Sequence, residues 1–200
     1  MVLGVQWYYW LFLGIAIIGA IFAWIKVLGS SKERREKLKK EAEIWKRDYE
    51  LREKYAVLTQ EKLNNCEEIQ LLHGVAMNIQ IALENAIDMN KAFDELPAEK
   101  KNVYTLEYFD EDAKTALSSF FKNNGAPLVP NIKNALSAVD ATELIKYVDI
   151  LYPMYDPDSE VSIDYAVIQK TDEQFRNVYD SDKLCRKCAV YIKKNKENFL

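Results

Sequence analysis

Residues Leu3–Ile25 read LGVQWYYWLFLGIAIIGAIFAWI, a run with no charged side chain, in which Gln6 is the one strongly polar residue. As a helix rising about 1.5 Å per residue it spans roughly 35 Å, against a bilayer core of about 30 Å. A lone span must be helical, because lipid offers no partner to backbone N–H and C=O groups. Trp7, Tyr8, Tyr9 and Trp10 sit near one end and Trp24 near the other. Amphipathic rings favour that headgroup level.

The flanks set the orientation. No charge precedes the run, whereas Lys26, Lys32, Arg34, Arg35, Lys37, Lys39 and Lys40 follow it, against Glu33 and Glu36. The positive-inside rule then predicts a single-pass anchor over residues 1–29, with the N-terminus outside and the rest cytoplasmic. Lys26, Lys32, Arg34 and Arg35 would meet the anionic surface of the lipid bilayer. A cleaved signal peptide would carry its basic residues ahead of the apolar run, which is the reverse of this order.

Charge separates along the remainder. Residues 26–66 hold 12 Lys/Arg against 8 Asp/Glu, and residues 94–182 hold 8 against 18. A basic neck thus precedes an acidic body. That body argues against direct nucleic-acid binding, which needs basic surface. Three cysteines, Cys66, Cys185 and Cys188, suit a reducing compartment rather than a disulfide framework.

From Lys32 the chain loses Gly and Pro and favours Lys, Glu, Leu and Ala, all good helix formers. One three-four register runs through Ile44, Asp48, Leu51, Tyr55, Leu58, Lys62, Asn65, Ile69, Leu72, Ala76, Ile79, Leu83, Ala86, Asn90 and Phe93, with Asp48, Lys62, Asn65 and Asn90 as its polar positions. This predicts a helical neck over 30–65, with a coiled-coil homodimer as one use of its seam and a homodimer through the following domain as the other arrangement. An acidic helical domain follows over 66–200, giving an all-α chain. Gly74 is an expected helix break. Pro97 starts a helix with Val103, Leu106 and Phe109 at core spacing, and Asp110 is expected to cap the next. Asp140 and Glu143 have capping-box spacing before LIKYVDILY, and Pro153 is expected to end that helix. VSIDYAVI alternates like a strand but has no strand to pair with, so it reads as helix or irregular. Thr171 and Ser181 are expected to open the last two helices.

Catalytic signals are scarce. His73 is the single histidine and sits beside Gly74 on an apolar helix, a structural setting. There is no GxSxG elbow and no Gly-rich phosphate loop. Cys185-Arg-Lys-Cys188 is a CxxC whose neighbouring Arg186 and Lys187 would favour a thiolate, so a thiol-redox enzyme is one alternative. A zinc site would need a second ligand pair at usable spacing, which is missing. Asp156-Pro-Asp158-Ser-Glu160 starts like a calcium loop but has Val161 and Val167 where Gly and Glu belong. No metal, cofactor or catalytic residue is therefore assigned.

Five stretches fall in a recognisable order: LPAEKKNVYTLEYFDED at 96–112, Phe120-Phe121-Lys122-Asn123-Asn124-Gly125, IKNALSAVDATEL at 132–144, LYPMYDP at 151–157, and Tyr191-Ile192 through Phe199. Residues 96–199 resemble the bacterial family of small acidic C-terminal domains named after a DNA-mimic protein. Ala113 to Leu117 stand where that family carries Asn-Gly-Gly. The resemblance implies a mostly helical fold and surface carboxylates that imitate phosphates and occupy a DNA-binding regulator; it neither requires nor explains the anchor, which is expected to lie in a bacterial inner membrane. The expected function is thus a membrane-anchored, non-enzymatic module that binds a basic protein partner. Its expected acidic face is Asp110, Glu111, Asp112, Asp156, Asp158, Glu160 and Asp164. The other alternative is a structural spacer acting through the neck.

Overall fold

The structure, a computed structural model, describes residues 34–43, 45–46 and 49–200. The expected anchor, with Lys26 and Lys32, lies outside the described residues. Among the described residues no helix is long and apolar enough to cross a membrane, and no strand occurs. The all-α expectation holds there. The chain divides into two units, Met1–Glu50 and Leu51–Leu200.

The described part of the first unit is helical and its residues are exposed, Arg34 and Arg35 included. Lys37 and Glu41 (4.0 Å) and Lys46 and Glu50 (3.8 Å) pair one turn apart. Such solvated pairs each contribute only a few tenths of a kcal/mol.

The second unit starts earlier than residue 66. Tyr55 and Leu63, placed by sequence in the neck, are fully buried within it. After a turn come α1 (Gln60–Asn65), α2 (Glu68–Glu84), α3 (Met89–Glu95), α4 (Ala98–Ala113), α5 (Leu117–Asn123) and α6 (Leu128–Ala138). A 3-10 turn (Thr142–Leu144) leads into α7 (Ile145–Tyr155), α8 (Tyr165–Arg176), α9 (Ser181–Lys194) and a closing 3-10 turn. The long three-four register therefore crosses breaks at 56–59, 66–67 and 85–88 rather than tracing one helix.

Helix α4 is the centre, packed against α2, α5, α6 and α9. It buries Val103, Leu106 and Phe109 as their spacing predicts, but also Asn102, Thr105, Glu107 and Asp110. A buried polar group without a partner costs roughly 1–3 kcal/mol, and each of these four has one. Asn131 donates to Thr105 Oγ1 (3.0 Å) and to Asn102 Oδ1 (3.3 Å), and Asn102 donates to Tyr191 Oη. His73 meets Glu107, while Tyr179 and Lys114 hold Asp110.

That inward set explains the differences from the local reading. Asp110 caps nothing: its carboxylate turns into the core, and α4 runs on to Ala113. Asp172 of α8 does the capping of α5 instead, accepting from Ser118 N at 2.9 Å and Ser118 Oγ at 2.7 Å. Thr171 lies inside α8, where its hydroxyl donates to Val167 O (2.8 Å). The opener there is Asp164, which accepts from Ala166 and Val167 N–H. Pro153 is inside α7, whose final turn is kept by Tyr155 stacked on Phe121 at 5.3 Å. Gly74 lies within α2 and does not break it.

Asp140 adopts φ 63° and caps no helix with its side chain. Glu143, its expected capping-box partner, reaches α9 instead, pairing with Lys183 (3.0 Å) and Lys187 (3.3 Å). The Lys183 hydrogen bond holds its carboxyl down at about 2. A depressed carboxyl stabilises the fold above its unfolded value, about 4.3, and loses that contribution as pH falls through about 2. The stability gap between the native chain and Glu143→Gln should therefore shrink as urea midpoints are followed down that window. A gap that is constant through it would contradict the pairing.

Candidate functional site

The acidic residues expected on one face divide by what they touch. Asp110 is 3% exposed and accepts from Tyr179 Oη (2.5 Å) while pairing with Lys114 (2.6 Å). It is a core group, not a surface acid. Asp112 accepts from the amides of Asn123 (2.6 Å) and Asn124 (2.7 Å), fastening the end of α4 to the end of α5. Asp156 accepts from Asp158 N (3.0 Å), and Asp164 caps α8. Glu111, Asp158 and Glu160 remain as exposed carboxylates that make no such backbone or amide contact.

The loop Asp156–Asp164 carries more than charge. Between Lys146 and Lys170 the chain has no Lys or Arg. Within that interval Val161 and Ile163 are each 50% exposed and Tyr165 is 77% exposed. Acids at 156, 158, 160 and 164 and exposed apolar side chains at 161, 163 and 165 thus share one short segment. Sequence reading identified its acids but not this apolar lining, whose alternation it weighed only as a strand signal.

The CxxC lies on α9 with both thiols buried. Burial and then the Asp110 charge push the Cys185 thiol up to about 11. Burial pushes Cys188 well above its ordinary value. Arg186 is exposed and Lys187 leaves the thiols to meet Glu143 and the Asp140 carbonyl. The surroundings oppose the thiolate that redox chemistry needs.

A second cluster forms where α2 faces α4. Glu107 and Glu111 are one turn apart on α4, which sets their carboxylates on one side of it. His73 reaches them from α2, with Nδ1 against Glu107 Oε1. One donor atom from each of His73, Glu107 and Glu111 lies within 4.8 Å of the other two. Partial burial, then the Glu107 charge, push the Glu111 carboxyl up. Only the Glu107/Glu111 spacing was visible beforehand. His73 is 34 positions from Glu107, and no local signal joins them.

An open groove of about 440 Å³ lies between α3 and α6, lined by Phe93, Asp94, Lys101, Pro127, Asn131 and Asn134 among others. It gathers no nucleophile, base and oxyanion donors in the arrangement that covalent catalysis requires. No family model matches the chain, and no curated protein or solved structure matches it significantly.

Proposed function

We propose that the protein is a membrane-anchored, non-enzymatic interaction module whose acidic helical body binds a basic protein partner. The observation that carries this reading is the 156–165 segment: exposed Asp158 and Glu160 beside outward-facing Val161, Ile163 and Tyr165, in a stretch free of Lys and Arg. Apolar contact would supply affinity there. The unbalanced carboxylates would attract a basic surface and reject an acidic one. The anchor and the basic flank from Lys26 onward would hold the module at the cytoplasmic face of a bacterial inner membrane.

A DNA-binding regulator fits the required charge, as the family resemblance implies. Duplex mimicry on this chain would rest on Asp158 and Glu160 rather than on the full set of seven, since Asp110, Asp112, Asp156 and Asp164 are engaged within the fold and Glu111 gathers with His73 and Glu107.

The test is capture of partners by the full chain from solubilised membranes, beside the Asp158→Lys/Glu160→Lys variant. Both sites are exposed, so the fold should be unaffected. The proposed module loses its partner in the variant, by about tenfold or more in affinity. Native binding weakens with salt as the Debye length falls below about 8 Å. Partners retained equally by both proteins, at any salt, would exclude this loop as the docking site.

A further inference from the structure

We propose that His73, Glu107 and Glu111 form a divalent transition-metal site that braces α2 against α4. It is independent of the partner-binding loop and does not rest on that reading.

Three atoms mutually within 4.8 Å all lie within about 2.8 Å (4.8/√3) of a common point. Zinc sits about 2.0–2.2 Å from imidazole nitrogen and carboxylate oxygen. Binding takes side-chain shifts of about 1 Å: His73 Nδ1 and Glu107 Oε1, in direct contact without an ion, part to admit it, and the long Glu111 side chain closes on it. The backbone already supplies the convergence. Glu107 and Glu111 share one side of α4, and α2 packs directly upon it.

The charge pattern also asks for a cation. Two carboxylates face one imidazole, with the His73 side chain 28% exposed and that of Glu107 11% exposed. A protonated His73 would offset one carboxylate and leave the other. Lys114, whose charge reaches Glu111, is held by Asp110 at 2.6 Å. A dication would offset both carboxylates at once and leave the imidazole neutral, as a ligand must be.

The donor set selects the kind of ion. Magnesium and calcium favour all-oxygen shells, six or more donors in the case of calcium. One imidazole with two carboxylates suits zinc, manganese or iron(II). Three protein ligands leave coordination positions for water or an incoming anionic group, as in open rather than closed sites. Glu107 is buried, but Glu111 is exposed at the outer side of the cluster, where such a group would arrive.

The experiment uses the full chain in detergent micelles, with Mn²⁺ and Zn²⁺ as probes. His73 is the only histidine, so any imidazole nitrogen bound to Mn²⁺ in pulsed electron-spin resonance must be His73. The expected result is one bound ion with a coupled nitrogen, lost in His73→Gln. Zinc affinity by calorimetry should fall about tenfold or more in Glu111→Gln and hold in Cys66→Ser. Glu111 is exposed, so that variant should fold even where His73→Gln does not. Failure of both ions to bind, or no nitrogen coupling on bound Mn²⁺, would overturn the site in favour of an internal His–Glu pair. Zinc binding that survives Glu111→Gln and is lost in Cys66→Ser would overturn it in favour of thiol capture.

Discussion

Gly74→Ala is expected to destabilise the second unit by about 1–3 kcal/mol, the ordinary cost of overpacking a filled core. Helix propensity alone predicts the opposite sign, because alanine in a helix interior gains about 1 kcal/mol over glycine. The neighbours decide. A Cβ on Gly74 would sit 2.4–2.5 Å from three ring carbons of Tyr55, well inside contact distance. Tyr55 has little room to retreat, because it is fully buried and its hydroxyl meets Cys66 Sγ. The Asn78 amide also donates to the Tyr55 carbonyl at 3.0 Å, fixing the backbone that carries the ring. Removal of the ring should therefore relieve the clash. In a double-mutant cycle measured by denaturant unfolding, Gly74→Ala should cost far less in a Tyr55→Leu background than alone. Additive effects, or a stabilising Gly74→Ala, would show that the ring does not rest on this glycine.

Gly74 also shows why parts of this fold were legible in sequence and others were not. Signals that act within a turn of their own residue were read correctly. Pro97 does precede α4 and Val161–Asp164 forms no strand, whereas the last helix starts at Ser181 but is capped by Asp180, which accepts from Lys183 N–H. Signals with two physical meanings failed. An Asp or Thr ahead of a helical pattern is written the same way whether its side chain caps a backbone N–H or reaches elsewhere. Asp110 found Tyr179, 69 positions away; Glu143 found Lys183, 40 away; Thr171 bonded back into its own helix. Gly74 reads locally as a break, yet it marks the close approach of an aromatic ring from 19 positions earlier in the chain. The candidate sites follow the same division. The acids of 156–164 announce themselves in composition. The His73–Glu107–Glu111 cluster exists only once α2 lies on α4, and a lone histidine beside a glycine carries no trace of it.

Phe109→Ala should be the most damaging single change, at about 3–5 kcal/mol for truncating a buried phenylalanine. Phe109 is fully buried on the central helix. Its ring meets those of Phe120 on α5 (5.4 Å, 72°), Phe175 on α8 (6.1 Å, 90°) and Tyr179 beyond α8 (6.1 Å, 84°). These edge-to-face contacts add roughly 0.5–1.5 kcal/mol per pair beyond the area buried. Three elements lean on one side chain, so collapse of any one wall cannot fill the space. Tyr179 has a second tie, its hydrogen bond to Asp110, which would hold it back from the cavity. The loss is large against a typical total of about 5–15 kcal/mol. Phe109→Leu keeps most of the volume and should cost under about 1.5 kcal/mol. Denaturant midpoints of the full chain in micelles, followed by far-ultraviolet circular dichroism of the helices, measure both variants. If alanine costs no more than leucine, the aromatic cluster around Phe109 is not what joins α4 to α5 and α8.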